Sequence, residues 1–517
     1  MLRAHRSIPL SWLLAVVLIG GLTFRIGAAV ADSPDPQAAD VVYIATGTNF
    51  PDALGAGPAA ALGNGPILLV QTDAVPSQTT TELNRLKPHL IVIVGGTAVV
   101  STSVENTLKG LGFGPTVIRV SGSNRYATAA AISESAFPCD AGMVMAGTDR
   151  HGPVCRAALS GNWSTQTVDS TGSVGTYTSL ALDAFGNPVV SYYDVIDGNL
   201  KVAHCDDPAC SGGGESVRTV ASTGDVGRFT SLALDASGFP VISYLDYTNG
   251  DLKLAHCNDP NCDGVGESIV SVDLGGYVGE YTSLVLDASG FPVIAYYDSS
   301  NENLKLVHCN DVNCAGGDET PQTVDTAGAS GYFISLVLDA SGFPVISYHD
   351  LDAATLKVAH CNDANCAPGG ESIQTVDSSS AVGWYTSLAL DRSGYPVISY
   401  YDISNTALKV AHCNDANCAP GGESIETVDS AGDVGAFSSL VLDAAGNPMV
   451  AYYYSSGSDL RLVSCNDPNC AGADEKQISP DSAGSVGAHL SMVLDRAGNP
   501  VISYYDGTNA RLKVASF

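Results

Sequence analysis

The sequence predicts a multidomain chain in which an N-terminal α/β module with a parallel sheet precedes an all-β, seven-bladed propeller. Three observations lead there. Unbroken apolar segments alternate with helical ones between residues 41 and 137; from Thr167 onward the chain repeats itself every 52 residues; and each repeat carries four short strand signals. The 517 residues also exceed what a single hydrophobic core organises, so at least two domains are expected.

The N-terminus reads as an export signal. Arg3, His5 and Arg6 precede an apolar run from Ile8 to Phe24, and Ala29-Val30-Ala31 offers a small-x-small cleavage pattern before Asp32. Residues 1–31 are the expected signal peptide and 32–40 a linker. Arg25 interrupts the run, and about 17 apolar residues are marginal for spanning a bilayer. No membrane span is expected after signal removal.

In residues 41–137, Val41-Val42-Tyr43-Ile44-Ala45 reads as a buried strand, followed by a small-residue helix from about Asp52 to Leu62. Then come the strand 66–70, a polar helix near 77–86, the strand Leu90-Ile91-Val92-Ile93-Val94, a helix near 101–111 and the strand Thr116-Val117-Ile118-Arg119-Val120. Continuous apolar strands alternating with helices imply a parallel sheet covered on both faces. Gly95-Gly96 lacks the G-x-G-x-x-G spacing of a nucleotide loop and reads as a tight strand-to-helix turn.

The wording of these segments is more specific than their pattern. "IATGTNFPDALGAGPAAA", "GPILLV", "LKPHLIVIVGGTAVVS" and "RVSGSNRYATAAAIS" together resemble the cell wall-binding repeat 2 family of bacterial surface proteins. The resemblance implies non-covalent attachment to anionic wall polysaccharide, through three tandem copies that pack together. Here one copy is complete; "AGMVMAGTDRHGP", at 141–153, looks like the opening of a second within a connector spanning 138–160. Association between chains, a homo-oligomer formed through the module, would supply the missing copies. Arg119 and Arg125 are the bases nearest the strand ends where open α/β sheets bind ligands, which makes them candidate polymer contacts. A local carboxylate or carbonyl partner is an equal reading for Arg125.

Residues 161–517 hold the repeats. Doublet cysteines fall at Cys205, Cys257, Cys309, Cys361, Cys413 and Cys465, and the columns headed by Gly175 and Asp183 return seven times in the same register. The signals "ESIQTVDS", "WYTSLALD", "YPVISYYD" and "ALKVAHC" make one unit. Four strands in a repeat of this length are a propeller blade rather than a solenoid coil. The region opens on an outer-strand signal and ends on a third-strand signal, so the opening segment should complete the last blade. Asp183 and its counterparts open D-x-x-G turns, where Asp bonds backbone amides and Gly takes positive φ. Their spacing faintly resembles the Asp-box of sialidase-type propellers, without its aromatic residue. Tyr192 and its equivalents read as packing between blades.

Each doublet is spaced C-x4-C, unlike the C-x2-C of zinc sites, and the doublets lie one per blade. In an exported chain they read as local disulfides: Cys205–Cys210, Cys257–Cys262, Cys309–Cys314, Cys361–Cys366, Cys413–Cys418 and Cys465–Cys470. Cys139 and Cys155 remain and would pin the connector. One loop, Asp259 to Glu267, opens D-x-N-x-D-G like a calcium loop, making Asp259, Asn261 and Asp263 a weak calcium candidate beside the ordinary reading as a solvated turn. No other cofactor is expected.

The formal charge of −31 is uneven: residues 1–40 and 41–137 each cancel, so all the excess acid lies after residue 137. That surface repels nucleic acid and anionic polymers, leaving the neutral module to meet a wall polyanion. Special residues are scattered: Tyr454 replaces an Asp, His349 a Tyr, Arg392 and Arg496 an Ala, and Trp384 appears once. No nucleophile with a base and no acid/base pair stands out, so an enzyme is the minority expectation. The favoured reading is a secreted protein of the cell wall or cell surface whose propeller displays a binding face for a glycan or protein ligand. A lectin-like propeller and a sialidase-like glycoside hydrolase or lyase are the alternatives.

Overall fold

The computed structural model describes residues 41–46, 66–88, 90–113, 116–120, 143–149, 152–157, 163–264, 266–472 and 475–517. The expected signal and linker, the helix at 52–62, Arg125 and Cys139 lie outside them. The chain divides into two compact units between Arg125 and Tyr126.

In the first unit, β1 (Val41–Thr46), β2 (Ile67–Val70), β3 (Leu90–Val94) and β4 (Thr116–Val120) form one sheet in the order β2-β1-β3-β4, with every pair parallel. Parallel neighbours need crossovers. Helix α1 (Ser77–Leu86) supplies the one from β2 to β3 and α2 (Thr102–Lys109) the one from β3 to β4. Leu83, Leu86, Val104 and Leu108 on the helices pack with Val42, Ile44, Ile91 and Ile93 of the central strands. Ser101 caps α2 by accepting from the Val104 amide, and α1 stops where Lys87 turns left-handed, at φ 48°.

The second unit begins with Met143–Asp149 paired antiparallel to Gly152–Ala157, the strand that carries Cys155. The segment expected to open a second α/β copy thus pairs with its own continuation. Seven four-stranded antiparallel sheets follow. In one of them, Val278–Leu286 is innermost, then Pro292–Asp298, Asn303–His308 and the outer strand Gln322–Asp325. The second strand is buried along its whole length, because each of its two faces meets a neighbouring blade. The final strand, Arg511–Ser516, pairs with Ser164–Asp169, so the opening segment completes the seventh blade as its sequence position implies.

Three sets of contacts hold successive blades together. First, the Gly175-type glycine near the start of each innermost strand has φ 91–112°, and a Cβ there would fall 2.6–3.0 Å from the Cα of a leucine in the preceding blade. Glycine is required by both the angle and the approach. Second, a serine on each inner strand accepts the N–H of the next inner strand, from Leu232 onto Ser179 round to Leu180 onto Ser491, at 2.9–3.2 Å. Third, an aspartate closing the outer strand reaches the next blade, where it accepts from a buried tyrosine hydroxyl and a Lys or Arg; Asp377 does so with Tyr400 at 2.7 Å and Lys409 at 2.5 Å. Asp169, Asp273, Asp325, Asp429 and Asp481 repeat the arrangement. Burial alone would raise the Asp377 carboxyl, but Lys409, Ser379 and Tyr400 outweigh it and hold it below the usual carboxylate range. At the seam between the first and second blades the residue is Ala221.

Candidate functional site: an aromatic collar on the propeller axis

The end of the propeller where each inner strand begins carries its most unusual geometry. In every blade the inner strand slips register against the second strand at equivalent positions, as between Thr176 and Ser179. Such bulges re-aim a side chain and are common beside functional sites. The residue in each bulge is Tyr177, Phe229, Tyr281, Phe333, Tyr385, Phe437 or His489, and all seven are left-handed at φ 52–56°. Bulky side chains avoid that region, at a cost of about 1–3 kcal/mol each where the surroundings impose it.

The seven rings close into a collar. Neighbouring centroids are 4.4–4.8 Å apart and each plane is turned 43–63° from the last, including the closing step from His489 to Tyr177. That spacing is face contact between tilted rings, so they stand like overlapping vanes. The carbonyls behind them are tied down where the next residue bears a hydroxyl: Thr230 donates to the Tyr177 carbonyl at 3.1 Å and Ser438 to that of Tyr385 at 2.7 Å. The collar encloses a cavity of about 490 Å³ lined by these rings, Trp384 and the Thr, Ser, Ile and Leu beside them, with no charged side chain. Burial pushes the Tyr177, Tyr281 and Tyr385 phenols up and the His489 imidazole down, to about 4, so all four are neutral near pH 7.

One position before each collar ring, the residue changes in every blade but two: Thr176, Arg228, Glu280, Tyr332, Trp384, Ala436 and Ala488. Four of these seven rim positions are therefore bulky and three small. Arg228 bonds Asp225 at 2.6 Å and lies 3.8 Å above the Tyr247 ring. Burial raises the Glu280 carboxyl, with Arg228 pulling the other way. Tyr332 bonds the Tyr297 hydroxyl at 3.0 Å, and Trp384 packs on Phe333 and His349. The indole N–H of Trp384 and Nε2 of His349 are buried without a partner. The loops at the same end expose Val195, Ile196, Tyr247, Leu274, Leu351 and Ile403, so this face offers apolar surface around a cavity whose own lining carries no charge.

At the other end of the blades lie the D-x-x-G turns and the cysteine loops. All six doublets are bridged internally, with Cα atoms 5.0–5.1 Å apart. In five of the six doublets a histidine precedes the first cysteine and links two blades. His204 sets Nε2 3.1 Å from Asp183 of its own turn and Nδ1 2.8 Å from Asn261 in the next cysteine loop; His256 and Asn313, His360 and Asn417, and His412 and Asn469 do the same. Asp183 also accepts the amides of Phe185 and Asn187, which with His204 overcome the effect of burial and hold its carboxyl low.

The other residues singled out in the sequence fall as follows. Asp259 accepts the amides of Asn261, Asp263 and Gly264, Asn261 faces His204, and Asp263 pairs with Arg218, so each of the three side chains of the calcium candidate is engaged by protein groups. Among the described residues no cluster of three or more His, Cys, Asp or Glu could hold a metal ion. Arg119 pairs with Glu105 at 2.9 Å and donates to the Gly95 carbonyl at 2.7 Å. Arg392 and Arg496 donate to the Ala444 and Ala184 carbonyls of the following blades' turns. Arg461 lies 3.6 Å over the ring of Tyr454. The collar itself was missed in the sequence, although an aromatic residue two places after each conserved glycine of the repeat is a readable signal.

Comparison with known proteins bears on the first unit. Residues 23–105 match the family described as Cell wall binding domain 2. The chain is 35% identical over 122 residues to N-acetylmuramoyl-L-alanine amidase LytC of Bacillus subtilis, spanning 23% of this chain and 24% of that one. It is 32% identical over 120 residues to the Amidase enhancer of the same organism, covering 23% and 17% respectively. The chain thus spans a quarter or less of the length of these relatives. Among solved structures, Cwp6 from Clostridium difficile is 31% identical over 19% of this chain and 15% of that one, at a TM-score of 0.18.

Proposed function

We propose that the chain is an exported surface protein held non-covalently to an anionic wall polymer by its N-terminal module, because residues 23–105 match the cell wall binding domain 2 family. The propeller is its binding and display scaffold. The family match carries this reading, and the charge distribution supports it: the module is neutral, while the rest of the chain bears the full −31 and would be repelled by a polyanion. Purified full-length protein should sediment with purified walls, be released by soluble wall polysaccharide, and ignore walls stripped of anionic polymer. Protein that stays in the supernatant at both low and high concentration would refute the anchoring, and with it the idea that association supplies missing copies.

A second reading, a glycan-binding propeller, is favoured by the collar. Its cavity joins apolar ring surface to hydroxyls and a neutral imidazole, a lining suited to an uncharged polar ligand. Most glycosidases set two carboxyl groups about the scissile bond, and none lines this cavity. Saturable binding on a glycan array, lost in Trp384→Ala, is the expected result; turnover of a chromogenic glycoside would instead favour the hydrolase.

A further inference from the structure

We propose that the seam between the first and second blades binds a small carboxylate, seated where Ala221 replaces the aspartate of the other six seams. Those six show what the place is built to hold. One oxygen of the aspartate accepts the amide two residues on, at 2.8–3.0 Å, from Thr171, Gly275, Ala327, Ser379, Ala431 or Ala483. The other accepts the tyrosine hydroxyl at 2.6–2.7 Å together with the Lys or Arg of the next blade.

At Ala221 the strand register is unchanged. Leu200 pairs with Ala221 and Lys201 with Thr219, the same slip as Leu252 with Asp273 and Lys253 with Ser271. The alanine Cβ therefore stands where an aspartate Cβ would, and only the carboxyl group is missing. Its donors remain: the Thr223 amide, the Tyr244 hydroxyl and the Lys253 ammonium. Tyr244 is fully buried and its hydroxyl has no partner, a loss of about 1–3 kcal/mol for a buried polar group. Lys253 has turned to Asp246 at 3.3 Å, and its side chain is 23% exposed against 9–13% for the five other lysines of this column, which opens a way in from solvent.

Charge and shape select the ligand. Lys357 sits between Asp325 at 2.6 Å and Asp350 at 3.2 Å, and Lys305 between Asp273 and Asp298, so one cation beside two carboxylates is a state these seams adopt. A monoanion next to Lys253 and Asp246 restores that state. Two sets of donors reached by two different oxygens call for a planar carboxylate rather than a halide, which offers one centre. Formate has the three heavy atoms that aspartate has and alanine lacks. A bound carboxylate would clamp the two blades as the six aspartates clamp theirs.

The test is thermal unfolding of the full-length chain in sodium formate against sodium chloride at equal ionic strength, with line broadening of ¹³C-formate as a direct readout. Wild type should show a saturable rise in Tm of roughly 1–3 °C with formate only. Ala221→Asp supplies its own carboxylate and should melt higher without formate, no longer responding to it or broadening its signal. Tyr244→Phe removes the unpaired hydroxyl, should fold, and should lose most of the response. A formate effect matched by chloride, retained in full by Ala221→Asp, or absent from wild type overturns the proposal.

Discussion

His489 takes a place that the other six blades give to Tyr or Phe, and burial pushes its imidazole down to about 4. An unfolded histidine titrates near 6.5. Between those values the unfolded chain binds a proton that the folded chain refuses, so this residue makes stability fall as pH drops from about 6.5 and stop falling near 4. His489→Phe should keep the collar and flatten that part of the profile, measured as denaturant midpoint against pH; an unchanged slope would place the titration elsewhere. The outer-strand aspartates act lower on the scale. Asp377 is held below its unfolded value, so its contribution is complete above about pH 4 and is lost as pH falls through the folded value. Asp377→Asn should therefore cost about 3 kcal/mol near neutrality, and the gap to wild type should close on acidification.

At the level of strands and turns, the glycine near the start of each inner strand separates two kinds of strain. In Gly227→Ala a Cβ would meet the Leu200 Cα at 2.6 Å at φ +102°, whereas Gly186 has φ +91° and nothing within 4 Å of the added atom. Gly186→Ala should cost about 1 kcal/mol, and Gly227→Ala clearly more, in chemical denaturation of each variant. These elements were legible because the repeat shows them seven times: four strand signals per copy, the D-x-x-G turns, the paired cysteines and the completion of the last blade all follow from spacing. The histidine links were half legible. A histidine stands before each cysteine loop whose next copy carries Asn261 or its counterpart, and serine stands at Ser464 and Ser516, where the next copy lacks one. The collar was not read, because an aromatic column in a β-repeat looks like packing until left-handed backbone turns it toward the axis. The parallel sheet followed from its apolar runs, but the fate of Met143–Asp149 did not, since an apolar strand carries no mark of the partner it will choose.

The propeller as a whole is closed by hydrogen bonds between segments more than three hundred residues apart, Ser164–Asp169 and Arg511–Ser516. Phe517 packs edge-on against Trp163 at 5.4 Å, and Asp169 clamps Tyr192 and Lys201 of the first blade. Removing residues 1–170 takes away an entire strand and one clamp, so the truncated protein should unfold at markedly lower denaturant and expose an unpaired edge that promotes aggregation, followed by light scattering. Closure also decides where mechanical load would fall. A cell-surface protein tethered through its N-terminal side transmits drag from moving fluid into Ser164–Asp169 first. That rung lies on the rim, farthest from the axis, and peeling it would leave the other six sheets intact. Pulled in an optical trap from that side, the wheel should yield its smallest rip first and then recover when the tension relaxes.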